Sequence, residues 1–74
     1  MTDAEPTVDE LRAILAAGGG LILDARQHMP EDLRRLAGAA AAALVLTGAA
    51  SLAADDRRRI AAAGGNHVIF DFTR

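Results

Sequence analysis

Three short apolar runs, each closed by a small polar residue, recur along the chain at nearly constant spacing. They are Leu21-Ile22-Leu23-Asp24, Leu44-Val45-Leu46-Thr47 and Val68-Ile69-Phe70-Asp71, offset by 23 and then 24 residues. Runs of this length bounded by turn-forming residues are strand-sized. The interval between them holds one helix and two turns. Strands joined through helices of this length pair in parallel, with right-handed crossovers. The third strand is expected over 67–72, from His67 to Phe72.

The intervening segments carry helix signals. Thr7-Val8-Asp9-Glu10 fits a capping box, and Val8, Leu11, Ile14 and Leu15 follow the spacing of one helical face. Gly18-Gly19-Gly20 ends that helix, with one glycine suited to the left-handed C-terminal position. Pro30 suits the first turn of a second helix, whose inner stripe is Leu33, Leu36, Ala37 and Ala40. The alanine run 39–43 hides the boundary between this helix and the next strand, which is placed near Ala42, plus or minus about three residues. Gly48 turns the chain after the second strand, Ser51 is expected to cap a third helix, and Gly64-Gly65-Asn66 stops it. Helical segments repeat as well: Asp32-Leu33-Arg34-Arg35-Leu36 matches Asp56-Arg57-Arg58-Arg59-Ile60, and Asp9-Glu10-Leu11-Arg12 echoes both. The expected fold is a small α/β domain spanning 1–74: a three-stranded parallel sheet and three helices in repeat order, with 1–6 as a flexible lead.

Alternation along the strands divides the sheet into two faces. Leu21, Leu23, Leu44, Leu46, Val68 and Phe70 share one, which the helices are expected to cover. Ile22, Val45 and Ile69 form a ladder on the other, extended by Asp24, Thr47 and Asp71. If the helices split between faces, the ladder is ordinary core. If they lie on one side, the ladder is left as a contact surface for another copy or a partner. A three-stranded sheet also has two unpaired edges, which invite extension between chains.

Composition removes several functional classes. All basic side chains are the eight arginines, so Schiff-base and phosphate-loop lysines are absent. Without cysteine there is no thiol nucleophile, thiolate zinc site or disulfide. Phe70 and Phe72 are the only aromatics and the net charge is −2, which argues against nucleic acid as a partner. The longest uncharged stretch, 36–54, is too rich in alanine and glycine to read as a membrane span. The acidic start, with Asp3 and Glu5, is unlike a signal peptide, so a cytoplasmic setting is expected.

One polar cluster can carry chemistry. Ligands of open parallel sheets bind beyond the carboxyl ends of the strands, where Asp24, Thr47 and Asp71 stand, with Arg26 and His28 in the loop after the first. Two carboxylates and a histidine could serve as acid and base or hold a metal ion, but the same residue types are ordinary at strand ends and turns. His67 has no partner at metal-ligand spacing and reads as a structural or solvated residue. Arg57-Arg58-Arg59, beside Asp55 and Asp56, reads as a solvated helix face. The glycine triplet precedes a strand rather than a helix, outside the context of a phosphate cradle.

Leu21-Ile22-Leu23-Asp24, Met29-Pro30, Leu33-Arg34-Arg35-Leu36, Leu44-Val45-Leu46-Thr47-Gly48 and Ala61-Ala62-Ala63-Gly64-Gly65 before His67-Val68-Ile69 together resemble the latter half of a response-regulator receiver domain. The resemblance implies a phosphoacceptor role for Asp24 and a phosphoryl-sensing role for Thr47. Met29-Pro30 stands two residues further from the aspartate than in that family, the family's acidic pair has no counterpart, and Asp71 and Phe72 stand where its lysine would follow. A receiver so altered implies a degenerate one. The period is also loosely similar to that of leucine-rich-repeat-like units, without their consensus asparagine.

These readings predict a non-enzymatic interaction or self-assembly module without cofactor or metal, a homo-oligomer or the partner of another protein. Its contacts are expected through Ile22, Val45 and Ile69, through sheet edges, or through Phe70 and Phe72. The alternative is a degenerate receiver-like or small-ligand-binding domain centred on Asp24 and Thr47, with Asp71 and His28 nearby. A further one is a metal-dependent enzyme built on Asp24, Asp71 and His28.

Overall fold

The computed structural model describes residues 6–73. The expected flexible lead lies outside them except for Pro6, which is exposed. Helix α1 is Val8–Ala16, strand β1 Leu21–Asp24, helix α2 Pro30–Ala39, strand β2 Leu44–Thr47, helix α3 Ala54–Gly64 and strand β3 Val68–Asp71. The protein is an α/β domain with a three-stranded parallel sheet in the order β1-β2-β3. Its register is the one obtained by counting: Leu21 pairs with Leu44 and Leu44 with Val68, and so on to Asp24, Thr47 and Asp71.

Local chemistry sets the helix ends. Thr7 Oγ1 accepts the Glu10 N–H at 3.1 Å, so the predicted N-cap forms. At the other end of α1, the Gly18 N–H donates to the Leu15 carbonyl and the Gly19 N–H to the Ile14 carbonyl. This is a Schellman cap, and it requires the positive φ of Gly18, +101°. Pro30 occupies the first turn of α2, with Glu31 and Asp32 near its positive end.

Several boundaries differ from expectation. Helix α2 ends at Ala39, at the near limit of the range around Ala42, with Ala40 as its C-cap. Ser51 does not cap α3: it lies in a 3-10 turn, Ala49–Ser51, and its hydroxyl donates to the Gly48 carbonyl at 2.8 Å. The chain first returns Leu52 to the core, 7% exposed, and the helix begins only afterwards with Ala53 as an uncapped N-cap. His67 belongs to a second 3-10 turn, Gly65–His67, and Phe72 lies past the last paired residue, so β3 is shorter than predicted.

Sequential strand order with crossovers of one hand places α2 and α3 on one face. The core confirms that placement. Leu11 and Leu15 of α1, Leu33 and Leu36 of α2 and Ile60 of α3 pack with Leu44 and Leu46 in one cluster. Burial is uneven across the sheet: Leu44 and Leu46 of the central strand are fully buried, whereas Leu21, Leu23, Val68 and Phe70 are half-buried. Among the described residues, no helix lies over the opposite face. Ile22 is 73% and Ile69 50% exposed, with Val45 half-buried between them. The two-sided burial that would make the ladder ordinary core does not occur.

The helices approach closely where side chains are small. A Cβ on Gly64 would overlap Val68 Cγ2 and stand 3.1 Å from the Ala37 methyl, whereas one on Gly38 meets nothing within 4 Å. Gly64→Ala should therefore destabilise the fold by about 1–3 kcal/mol through overpacking. Gly38→Ala, in an open helical position, should stabilise it by about 0.5–1 kcal/mol. Chemical denaturation of the two variants reads both signs.

Candidate functional site

Registration of the three strands brings Asp24, Thr47 and Asp71 into one row at the carboxyl edge of the uncovered face. Each is held by its own surroundings. Thr47 Oγ1 donates to the Leu23 carbonyl at 3.3 Å, bridging β2 to β1. Asp71 accepts the Thr73 N–H at 2.9 Å and the Thr73 hydroxyl, so the tail folds over it.

Asp24 is the most engaged. A 3-10 turn, Ala25–Gln27, follows it, and its Oδ1 accepts the Arg26 N–H at 2.9 Å. That turn brings the guanidinium back onto the carboxylate: Arg26 Nε donates to Oδ1 and an Arg26 Nη to Oδ2, both at 3.0 Å. This two-pronged pairing fixes orientation as well as charge. The side-chain hydrogen bonds from Arg26, aided by its backbone N–H, lower the Asp24 pKa from its ordinary 3.8, and the carboxylate raises that of Arg26 in return. Gly48 completes the arrangement. Its φ is +65°, and a Cβ there would come within 2.9 Å of Arg26 Nε and 3.0 Å of Asp24 Oδ1. The glycine after β2 therefore leaves room for the ion pair as well as turning the chain.

The row does not assemble a metal centre. Adjacent strands stand about 4.8 Å apart, so Asp24 and Asp71, separated by β2, lie roughly 10 Å from one another. Among the described residues no group of three or more His, Asp or Glu side chains is arranged to hold a metal ion. His28 follows the 3-10 turn, half-buried, and its charge contributes slightly to lowering the Asp24 pKa. His67 lies in the turn before β3, at the opposite end of the strands from the acidic row.

The remaining candidates lie at the β3 edge. Phe70 and Phe72 stack at 6.2 Å between ring centroids, and the Arg57 guanidinium lies 5.3 Å above the Phe72 ring. Phe72 is nonetheless 55% exposed. Arg57 stands 24 positions after Leu33, a fully buried residue of α2. The repeat thus substitutes a cation over an aromatic ring for aliphatic packing in its last unit, a contact that strand alternation alone does not disclose. Arg58 pairs with Asp55 at 2.7 Å, as Arg34 does with Glu31 at 2.6 Å, both in exposed i,i+3 pairs of small energetic weight.

No family model, curated protein or solved structure matches this chain. No helix among the described residues is long and apolar enough to cross a membrane. What the fold defines is a one-sided α/β layer with an uncovered apolar ladder and an acidic row whose Asp24 is neutralised locally.

Because the folded Asp24 titrates below its ordinary value, its contribution to stability is complete above about pH 4 and is lost as the pH falls through the lowered value. Asp24→Asn should lower the melting temperature at neutral pH, by an amount that shrinks as the pH falls through the lowered Asp24 value. A difference that does not shrink on acidification would mean that the pairing with Arg26 acts through packing alone.

Proposed function

We propose that this chain is a non-enzymatic, cytoplasmic self-assembly module whose burial is completed by further copies of itself. The observation that carries this reading is the uncovered ladder, with Ile22 73% and Ile69 50% exposed on a face that no helix overlies. Isoleucine is among the residues most often buried, and two of the chain's four stand in solvent on one small sheet. Among the described residues both sheet edges are also unpaired, which adds backbone donors and acceptors to the available surface. The chain is short enough that added burial matters, since domains of this size bury a smaller fraction of their surface than larger ones do.

The polar row supports a non-enzymatic reading. Asp24 is committed to Arg26, Asp71 accepts from Thr73, and Thr47 serves a strand-to-strand hydrogen bond. These partners account for the row as turn and strand chemistry.

Static light scattering at micromolar concentration tests the proposal. The chain should have a mass above that of the monomer, and Ile22→Asp combined with Ile69→Asp should shift it toward the monomer with the circular dichroism spectrum retained. A wild-type chain that stays monomeric across the accessible concentration range would overturn the reading.

A further inference from the structure

The exposed ladder alone is too small to hold two copies together. Three aliphatic side chains fall far short of the roughly 800 Å² per partner that stable protein interfaces bury. A larger incomplete surface lies at the two flanks of the stack, where the strand-helix units come to an end.

The helices repeat as the strands do. Offsets of 22 and 24 residues relate Ile14 to Leu36 and Ile60, Glu10 to Asp32 and Asp56, and Arg12 to Arg34 and Arg58. Leu36 and Ile60 are 0% and 1% exposed, and each has a preceding helix beside it. Ile14 has none, and it is 37% exposed. Glu10 lies four residues before Ile14, on the same flank of α1, and is also exposed. The strands tell the same story: Leu21 and Leu23 at the β1 edge are half-buried while their partners Leu44 and Leu46 are fully buried.

The other end of the stack has the complementary deficit. The groove between α2 and α3 is lined on the α3 side by Arg59, Ala62 and Ala63, so that flank of α3 is already taken. Arg57, over Phe72 and beyond β3, marks the free flank, with Ala61 four residues on and Arg58 three residues before Ala61. Below it are the half-buried Phe70 and the exposed Phe72. One end therefore presents an acid and an isoleucine; the other presents phenylalanine and two arginines, Arg57 over Phe72 and Arg58 in an exposed pair with Asp55 that an incoming carboxylate can share.

We propose that the α1–β1 flank of one copy docks on the α3–β3 flank of the next, adding its β1 in parallel to β3 and its α1 beside α3. Glu10 then faces Arg57 and Arg58, and Ile14 enters the place beside Ala61 that Leu36 takes beside Leu15 within one chain. The added strand repeats a step that the chain already makes twice in the same register. Because the two flanks differ, the contact is heterologous and assembly is open-ended unless the rotation closes a ring. In that register Ile22 of one copy stands beside Ile69 of its neighbour, so the ladder runs on from copy to copy and the two isoleucines bury each other at every junction as part of the flank contact. This inference rests on the self-assembly reading and specifies its geometry.

Sedimentation velocity over a range of concentrations tests it with exposed substitutions. Wild-type protein should grow beyond a dimer. Glu10→Arg and Arg58→Glu, each placing like charges across the junction, should weaken association about fivefold or more. An equimolar mixture of the two variants should restore growth, since every junction then pairs opposite charges in one arrangement or the other. Circular dichroism and thermal melting verify that each variant is folded. A closed dimer, or unaltered association in both single variants, overturns the flank contact. If the ladder variant abolishes association while the charge variants leave it unchanged, the flank contact fails and self-assembly stands. A wild-type monomer at all concentrations removes both.

Discussion

Everything in this fold depends on the parallel registration of three four-residue strands in sequence order. That one constraint aligns Leu21, Leu44 and Val68, and then Leu23, Leu46 and Phe70, into the rows that the helices cover. It also confines α2 and α3 to one side, because two crossovers of the same hand in sequential order have nowhere else to go, and α1 packs there with them through Leu11 and Leu15. The one-sided layer and its bare reverse are thus a single topological fact. Alanine makes the layer workable. It supplies 18 of the chain's residues, and contacts such as Gly64 against Ala37 let α2 and α3 lie close over a thin sheet.

Strand positions and register were legible because alternation and spacing agree at every row. The α1 termini were legible too, since Thr7 and Gly18 act through local hydrogen bonds and a backbone preference. The start of α3 was not. Ser51 has the right chemistry for a cap, but burial of Leu52 inserts a 3-10 turn first, and that requirement comes from the assembled core. Whether the helices cover one face of the sheet or both was hidden, although the face they do cover was legible. Alternation groups Ile22, Val45 and Ile69 without saying whether any helix passes behind them, and the order β1-β2-β3 with crossovers of one hand decides it.

The polar row illustrates how proximity differs from function. Counting correctly brought Asp24, Thr47 and Asp71 together, yet their electrostatics are set by near neighbours in the chain. Arg26 reaches Asp24 because a 3-10 turn folds it back, and Gly48 makes the room. A residue's spacing from another carboxylate carries no information about such a partner two positions away. The unequal exposure of equivalent residues is more informative. Ile14 and Leu36 occupy the same place in successive units, and only the neighbour differs.

Complete burial of Leu44 and Leu46 between half-buried partners bears on how the molecule breathes. In a stack whose units contact mainly their neighbours, stability is a sum over junctions rather than a property of one indivisible core. The central strand is bounded by two junctions and each outer strand by one. Local opening will therefore start at the ends, with the slowest amide exchange in β2 and faster exchange in β1 and β3. The softest parts of the chain are the same edges that a neighbouring copy would stiffen.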